Sequence, residues 1–341
     1  MSEYKGIQGQ KVRTYTTDPD NPIIGQVWYN ATTQTIKLEG QTTSGAWSTG
    51  TSMPAVIRLS GYAGTPTAAF VFGGSDGGPR QNLTYEYNGT SWSSGGNMIV
   101  SKNYLTGCGT LDATLAFGGE AGATGCYGTT YGSCTTELYN GTSWTAGTNA
   151  PFDGSATSMA GTQTAAITAG DSRAPSPSFL NGFLYTSGVW TTAPAMNTAT
   201  PGGYRSQTGI LGNSQSSAIF AGGNNGTGAP TTAAVEEWNG SAWTEIADIN
   251  TSRGDLGGAG SVTSGLVFGG KVPPATYYGS TETWNGSTWT EEGDLSTTRG
   301  NASGNRGTSS ATWAAGGEPF TSAFEEWTGA GSPLTVTFTD S

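Results

Sequence analysis

Four stretches of this chain carry nearly the same phrase: "YEYNGTSWSSG" at 85–95, "TELYNGTSWTAG" at 136–147, "EEWNGSAWTEI" at 236–246 and "TETWNGSTWTEE" at 281–292. A phrase that returns about every 50 residues reports a repeated structural unit before it reports any chemistry. Asn-Gly between two aromatic-bearing runs predicts a β-hairpin, with both turn residues expected at positive φ. Tyr139 and Trp144 then lie on the two arms, where their rings cover the strand pair and fill the space to a neighbouring unit.

A second marker travels with the first. Apolar runs end in Gly-Gly at Gly74, Gly119, Gly223, Gly270 and Gly317, and a degenerate copy, "AAITAG", ends at Gly170. These make six copies, 45 to 53 residues apart. Each opens with a Gly-rich segment such as "LSGYAGT", then an apolar strand ending in Gly-Gly, a variable loop, a strand ending in an aromatic residue, and a strand that holds Trp92, Trp144, Trp190, Trp243 or Trp289. The third copy, around 159–190, lacks both the Gly-Gly and the Asn-Gly-x-x-Trp turn. Each unit reads as a four-stranded antiparallel meander. One meander of this size cannot bury both faces alone, so copies must stack, and radial stacking gives a propeller.

The composition agrees. Of 341 residues 56 are Gly and only 11% are charged, which suits short strands and tight turns rather than helices. Regular Trp spacing argues against the disorder that so much Gly and Ser would otherwise suggest.

The Gly-Gly, the aromatic after it and the later Trp resemble the kelch family of β-propellers over roughly residues 41–341. The aromatic pair here is five apart, where that family usually has six. The resemblance implies an all-β propeller of six blades. The last copy has no Trp strand, and an orphan one, "SGAWSTGTSMP" at 44–54, precedes the first. Trp47 precedes Gly74 by the interval that separates Trp92 from Gly119, so the orphan strand is expected to pair near Trp327 and clasp the ring. In the alternative, "GQVWYN", "TQTIKLEG" and "GAWSTG" form a seventh blade. A linear β-solenoid is a rival, but its repeats are shorter and not built on hairpins.

Residues 1–40 lack the repeat and read as an attachment arm or β-hairpin. Their phrase "DPDNPIIGQVWYNATTQTIKLEG" resembles N-terminal segments of tailed-phage virion proteins, especially marine ones, which also carry tandem kelch-like repeats. That resemblance implies a non-enzymatic structural protein on the phage particle, in tail or capsid. The arm would anchor it to other virion proteins and the propeller would face outward for adhesion or decoration. The expected partners are those proteins, copies of itself, and a host-surface glycan or receptor. A polysaccharide-degrading enzyme of the same particle is the alternative.

Charge and residue usage narrow the chemistry. The net charge of −11 offers no basic footprint for nucleic acid. No apolar run is long enough to span a membrane, and the start predicts no secretory signal. The chain has no histidine. Histidine triads, proton shuttles and metal sites are therefore excluded, as are the histidine-ligated copper centres of kelch-fold oxidases, and no cofactor is expected. Cys126 and Cys134 flank the loop "CYGTTYGSC" and either bridge or stay as two thiols; Cys108 reads as a small buried residue.

Charge also recurs. Glu137, Glu236, Glu282 and Glu325 each stand two residues before the hairpin aromatic. Arg58, Lys102, Arg253 and Arg299 open most first strands, with Arg205 in a longer connection. This predicts a repeated ion pair, or a cap of backbone N–H groups, rather than a cationic ring around a ligand. Within this pattern "SRGD" at 252–255 is read as chance, because the next copy has "TTRGN".

The loops between second and third strands vary and share one rim, where binding is expected. They hold Tyr127, Tyr131, Tyr277, Tyr278 and Phe320. Those rings either present faces to a sugar or protein or pack down over the blade edges. No isolated pair of acids of the kind a glycosidase needs stands out.

Overall fold

The computed structural model describes residues 12–20, 22–42, 44–122, 132–171, 180–198, 208–224, 231–274, 276–304, 307–331 and 333–338, and among these there is no helix. The strands form seven four-stranded sheets and one two-stranded ribbon. Two compact units result, Ala46–Thr328 and a smaller one of Met1–Gly45 with Gly329–Ser341.

The larger unit holds six of the sheets, one per copy of the repeat. In the second copy Thr106–Thr110, Ala113–Phe117, Thr136–Tyr139 and Trp144–Ala146 follow one another as antiparallel neighbours. The first copy (Gly61–Thr65 to Trp92–Ser94), the fourth (Gly209–Ser214 to Trp243–Ile246) and the fifth (Gly257–Gly260 to Trp289–Glu291) repeat that order. The sixth takes Ser303–Gly304, Ala311–Ala315 and Phe324–Thr328 from late in the chain and its fourth strand, Ala46–Thr49, from early in it, with Trp47 opposite Trp327. The grouping of "GAWSTG" with "GQVWYN" and "TQTIKLEG" is not the pairing found. Val27–Asn30 and Thr35–Gln41 pair with each other in the smaller unit, flanked by Arg13–Tyr15 and by Pro333–Phe338. The last strand thus belongs with the first forty residues, although the sequence places it after the repeats.

The third copy, degenerate in sequence, is complete in structure. Ser158–Gly161, Ala165–Ala169, Gly182–Thr186 and Val189–Ala193 form the same sheet. Its turn, Ser187-Gly188, is the two-residue type with both φ positive (46° and 94°). The Asn-Gly copies differ from the expected turn. There the aromatic partners enclose four residues, as Tyr139 and Trp144 do, and only the Gly has positive φ. The Asn supplies a side-chain acceptor instead: Asn140 Oδ1 takes the N–H groups of Thr142 (3.0 Å) and Ser143 (2.9 Å), and Asn88, Asn239 and Asn285 do the same.

Either turn brings two aromatic rings opposite each other. The six pairs are Tyr87–Trp92, Tyr139–Trp144, Tyr185–Trp190, Trp238–Trp243, Trp284–Trp289 and Trp327–Trp47. Their ring centroids lie 5.0–5.4 Å apart. Each fourth-strand indole N–H then donates to the copy before it. Trp144 reaches Thr84 Oγ1, Trp190 reaches the Thr148 carbonyl, Trp243 that of Pro194, Trp289 that of Ala247, and Trp47 reaches Thr281 Oγ1. Trp92, in the first copy, donates to the Thr51 carbonyl just after the sixth copy's fourth strand.

Apolar cores lie between consecutive sheets. Phe70, Ala116, Tyr139 and Trp144 join the first and second copies, and Trp313, Phe324, Val71 and Tyr87 join the sixth and first. Sheets covered on both faces explain why second strands such as Ala113–Phe117 are apolar almost throughout, while fourth strands such as Trp144–Ala146 turn polar after the Trp.

Gly-Gly marks a close approach between copies. Both residues of the pair have positive φ, and Gly119, Gly223 and Gly270 each donate to a carbonyl in the segment leading into the next copy (2.8–3.0 Å). Gly317 of the sixth copy donates in the same way to Ile57, ahead of the first (2.9 Å). A Cβ on Gly118 would lie 2.7 Å from the Gly154 carbonyl oxygen, and one on Gly316 would lie 2.4 Å from that of Ile57. Only Gly fits.

Candidate functional site

The predicted pairing of acids and bases is present and buried for Lys102, Arg253 and Arg299, whereas Arg58 is partly exposed and pairs instead with Glu318. Lys102 Nζ lies 3.0 Å from Glu137, Arg253 Nη1 lies 2.6 Å from Glu282, and Arg299 pairs with Glu325. The second oxygen of each carboxylate accepts a backbone N–H from the same lead-in segment, from Ile99 (2.7 Å), Asn250 (2.6 Å) and Ser296 (2.7 Å). Glu236 accepts from Asn197 and Thr198; Arg205 lies outside the described residues. Both expected devices thus operate at once, and a ligand cannot reach these cations. Burial pushes Lys102 down, opposed by Glu137. The "SRGD" run is likewise hidden, since Arg253 and Asp255 are both buried.

In five of the copies the lead-in segment turns into its first strand through a residue in the left-handed region: Leu59, Tyr104, Ala156, Asp255 and Asn301, with φ from 51° to 59°. These equivalent residues link along the chain of copies, Tyr104 N–H to Leu59, Ala156 N–H to Tyr104 and Asn301 N–H to Asp255 (2.8–2.9 Å). With Thr208 they line one cavity fed by all six copies, of about 70 Å³. That holds a few waters and no sugar ring.

Beside it the copies stop being equivalent. Lys271 Nζ lies 2.8 Å from Asp255 and 2.8 Å from Glu318, and Glu318 also binds Arg58. Asn224 and Asn301 donate to Asp255 (2.7 and 3.1 Å). This cluster spans the fourth, fifth, sixth and first copies. Burial pushes the Asp255 carboxyl up, with Lys271 opposing. Burial also acts to raise Glu318, but Lys271 and Arg58 outweigh it and hold that carboxyl below its ordinary value. Burial disfavours the Lys271 ammonium, yet its two carboxylates push it well up.

Sequence reasoning missed this pair of acids. Asp255 stands in a left-handed position and Glu318 directly follows Gly-Gly, so they occupy different places in the repeat. The available signal was the polar residue after each Gly-Gly and after Gly170 in the degenerate copy, namely Ser75, Glu120, Asp171, Asn224, Lys271 and Glu318. Lys271 favours the ionised form of both carboxylates; at Glu318 that effect prevails, whereas at Asp255 burial does.

Three of the five loop aromatics, Tyr277, Tyr278 and Phe320, fall among the described residues. Tyr127, Tyr131 and Cys126 lie outside the described residues. Cys134 is buried and disulfide-bonded, and Cys108 is a buried thiol that donates to the Thr162 carbonyl (3.4 Å). Tyr277 sits in the ribbon Lys271–Val272 with Thr276–Tyr277, and the Tyr278 backbone bridges Gly270 and Arg299; both are half-buried. Phe320 is 48% exposed, with the Arg58 guanidinium 4.2 Å over its ring. Gly77 lies against the same ring, and a Cβ there would stand 3.1 Å from it.

No protein-family model matches the chain, and no curated protein matches it. Among solved structures it is similar to the structure of YjhT, with a TM-score of 0.62 and 14% identity, over 85% of this chain and 96% of that one. At this identity the likeness shows an all-β, propeller-like fold and nothing about activity.

Proposed function

We propose that the chain is a non-enzymatic virion structural protein of a tailed bacteriophage. Ala46–Thr328 is a closed, six-bladed, kelch-like propeller that displays its variable-loop rim for host-surface adhesion or decoration. The smaller unit anchors it to the particle. The closed ring is supported by contacts that run from each copy to the next and return from the sixth to the first: the indole bonds, the Gly-Gly contacts and the apolar cores. The observation that carries the non-enzymatic reading is that the cavity fed by all six copies measures only about 70 Å³ and the one acid in its lining, Asp255, is already committed to Lys271. The virion reading rests on the resemblance of the first forty residues and of the repeat phrase.

Removing residues 1–45 and 329–341 tests it. The remaining propeller is expected to stay folded and bind host cells, while incorporation into particles is lost. Normal incorporation of the truncated chain overturns the anchoring role.

One observation favours a second reading, a polysaccharide hydrolase. Asp255 and Glu318 are not repeat-equivalent and share one ammonium. Purified protein incubated with host glycans is expected to release no reducing ends. Steady release abolished by Glu318→Gln establishes the hydrolase instead.

A further inference from the structure

The aromatic residue near the end of each third strand packs against the copy before it, and in five of the six copies that contact is completed by an indole or a carboxylate. In the fourth, fifth and sixth copies the residue is Trp238, Trp284 or Trp327, whose N–H donates to a carbonyl of its own copy (2.8–3.0 Å). The first and second copies have the smaller Tyr87 and Tyr139. There the preceding copy supplies a carboxylate: Glu326 accepts from the Tyr87 hydroxyl (3.2 Å), and Glu86 accepts from that of Tyr139. The third copy has neither device. Its aromatic is Tyr185, and Leu138 stands in the second copy where Glu86 stands in the first.

A groove of about 500 Å³ lies at this junction. Leu138, Ala146 and Thr148 of the second copy line it, with Gln163, Tyr185 and Ser187 of the third. The third copy's turn encloses two residues where the Asn-Gly copies enclose four, so less chain stands beside the groove. Tyr185 is 2% exposed, and among the described residues its hydroxyl donates to no acceptor. A buried donor without a partner is costly, and the two equivalent Tyr residues each meet an oxygen from across the junction. Gln163 is held through its amide nitrogen by the Thr114 and Tyr139 carbonyls (3.1 and 2.7 Å), which leaves Oε1 as an acceptor. No Lys, Arg, Asp or Glu lines the groove.

We propose that this groove binds a neutral sugar, one or two hexose units of a glycan. Its volume falls in the range of small-ligand sites, about 300–1,000 Å³. An ionised ligand would give up hydration here and meet no counter-charge. A wholly apolar ligand would leave the Tyr185 hydroxyl unmet. A sugar satisfies both kinds of surface. Its C–H face lies on Leu138 and Ala146, while its hydroxyls accept from Tyr185 and donate to Gln163. A sugar oxygen then stands where the Glu86 carboxylate stands one copy earlier. The inference rests neither on the virion reading nor on the variable loops.

Saturation-transfer NMR on the full chain tests it, with glucose, galactose, mannose and N-acetylglucosamine as probes and glucuronic acid as the anionic control. At least one neutral hexose is expected to bind in the millimolar range, and glucuronic acid is expected not to. Leu138→Glu restores the carboxylate of the first copy and is expected to abolish binding without lowering the melting temperature. Tyr185→Phe removes only the unmet hydroxyl. It is expected to weaken binding about tenfold and leave melting unchanged, whereas Tyr139→Phe, which breaks the bond to Glu86, lowers it. If Leu138→Glu melts early, Tyr185→Phe decides alone. No transfer from any neutral hexose overturns the inference, as does binding that Tyr185→Phe leaves unchanged, or a stronger response to glucuronic acid.

Discussion

Trp144→Ala tests the repeat logic at one position. The side chain is 7% exposed. Its indole meets Tyr139 at 5.0 Å, Phe72 at 5.0 Å and Phe70 at 5.8 Å, and donates to Thr84 Oγ1 at 3.1 Å. Truncation removes a large buried ring, at about 3–5 kcal/mol. The ring contacts and the bond to a buried Thr84 place the cost toward the upper end of that range. With a urea m-value of about 3 kcal/mol/M for a domain of this size, the midpoint falls by roughly 1.3–1.7 M. Thr84→Val separates the polar part, since it keeps every ring and strands only the indole N–H. It is expected to cost about 1–3 kcal/mol, because the donor is left buried and unpaired. Urea melts followed by Trp fluorescence read both variants. A loss under about 1 kcal/mol for Trp144→Ala refutes the claim that these Trp residues hold copy to copy.

Three further outcomes are expected. Glu282→Gln leaves Arg253 buried without its counter-charge and should cost about 3–5 kcal/mol in the same melts; a loss near zero contradicts the structural role of the pair. Gly316→Ala must place a Cβ 2.4 Å from the Ile57 oxygen at positive φ, whereas Gly25→Ala, also at positive φ, meets nothing within 4 Å. The first should destabilise by more than the roughly 1 kcal/mol of backbone strain expected of the second, and equal costs contradict close packing at Gly-Gly. Glu318 is held below its ordinary value of 4.5, so the folded state binds its proton more weakly than the unfolded chain. Its contribution is complete above that value and declines as pH falls through the lower folded value. The stability difference between wild type and Glu318→Gln should therefore shrink on acidification, and a difference constant between neutral pH and pH of about 3 contradicts the network.

The repeat was legible because its markers are backbone necessities. Gly-Gly stands where a Cβ collides with the next copy, and the aromatic pair stands where two strands face. The third copy was hard to read because Ser-Gly performs the turn by a different route while Tyr185 and Trp190 keep their places. Glu282 and Arg253 could be paired from their recurrence alone. Asp255, Lys271 and Glu318 could not, since Asp255 stands at a different place in its copy from Lys271 and Glu318, which both follow Gly-Gly, and only the geometry brings the three together. The C-terminal strand was hidden for a similar reason. Nothing local in "PLTVTF" says that its partner lies near residue 38.

The claim on which the ring depends is that the strand near Trp47 completes the last sheet. Ser48 stands opposite Glu326 in that pairing. A Ser48→Cys, Glu326→Cys double variant, oxidised gently and digested for mass spectrometry, tests the pairing directly. The expected result is a disulfide between positions 48 and 326 in nearly every folded chain, with a rise in melting temperature. Two free thiols, or position 48 bridged elsewhere, contradict the closure and the six-copy ring with it.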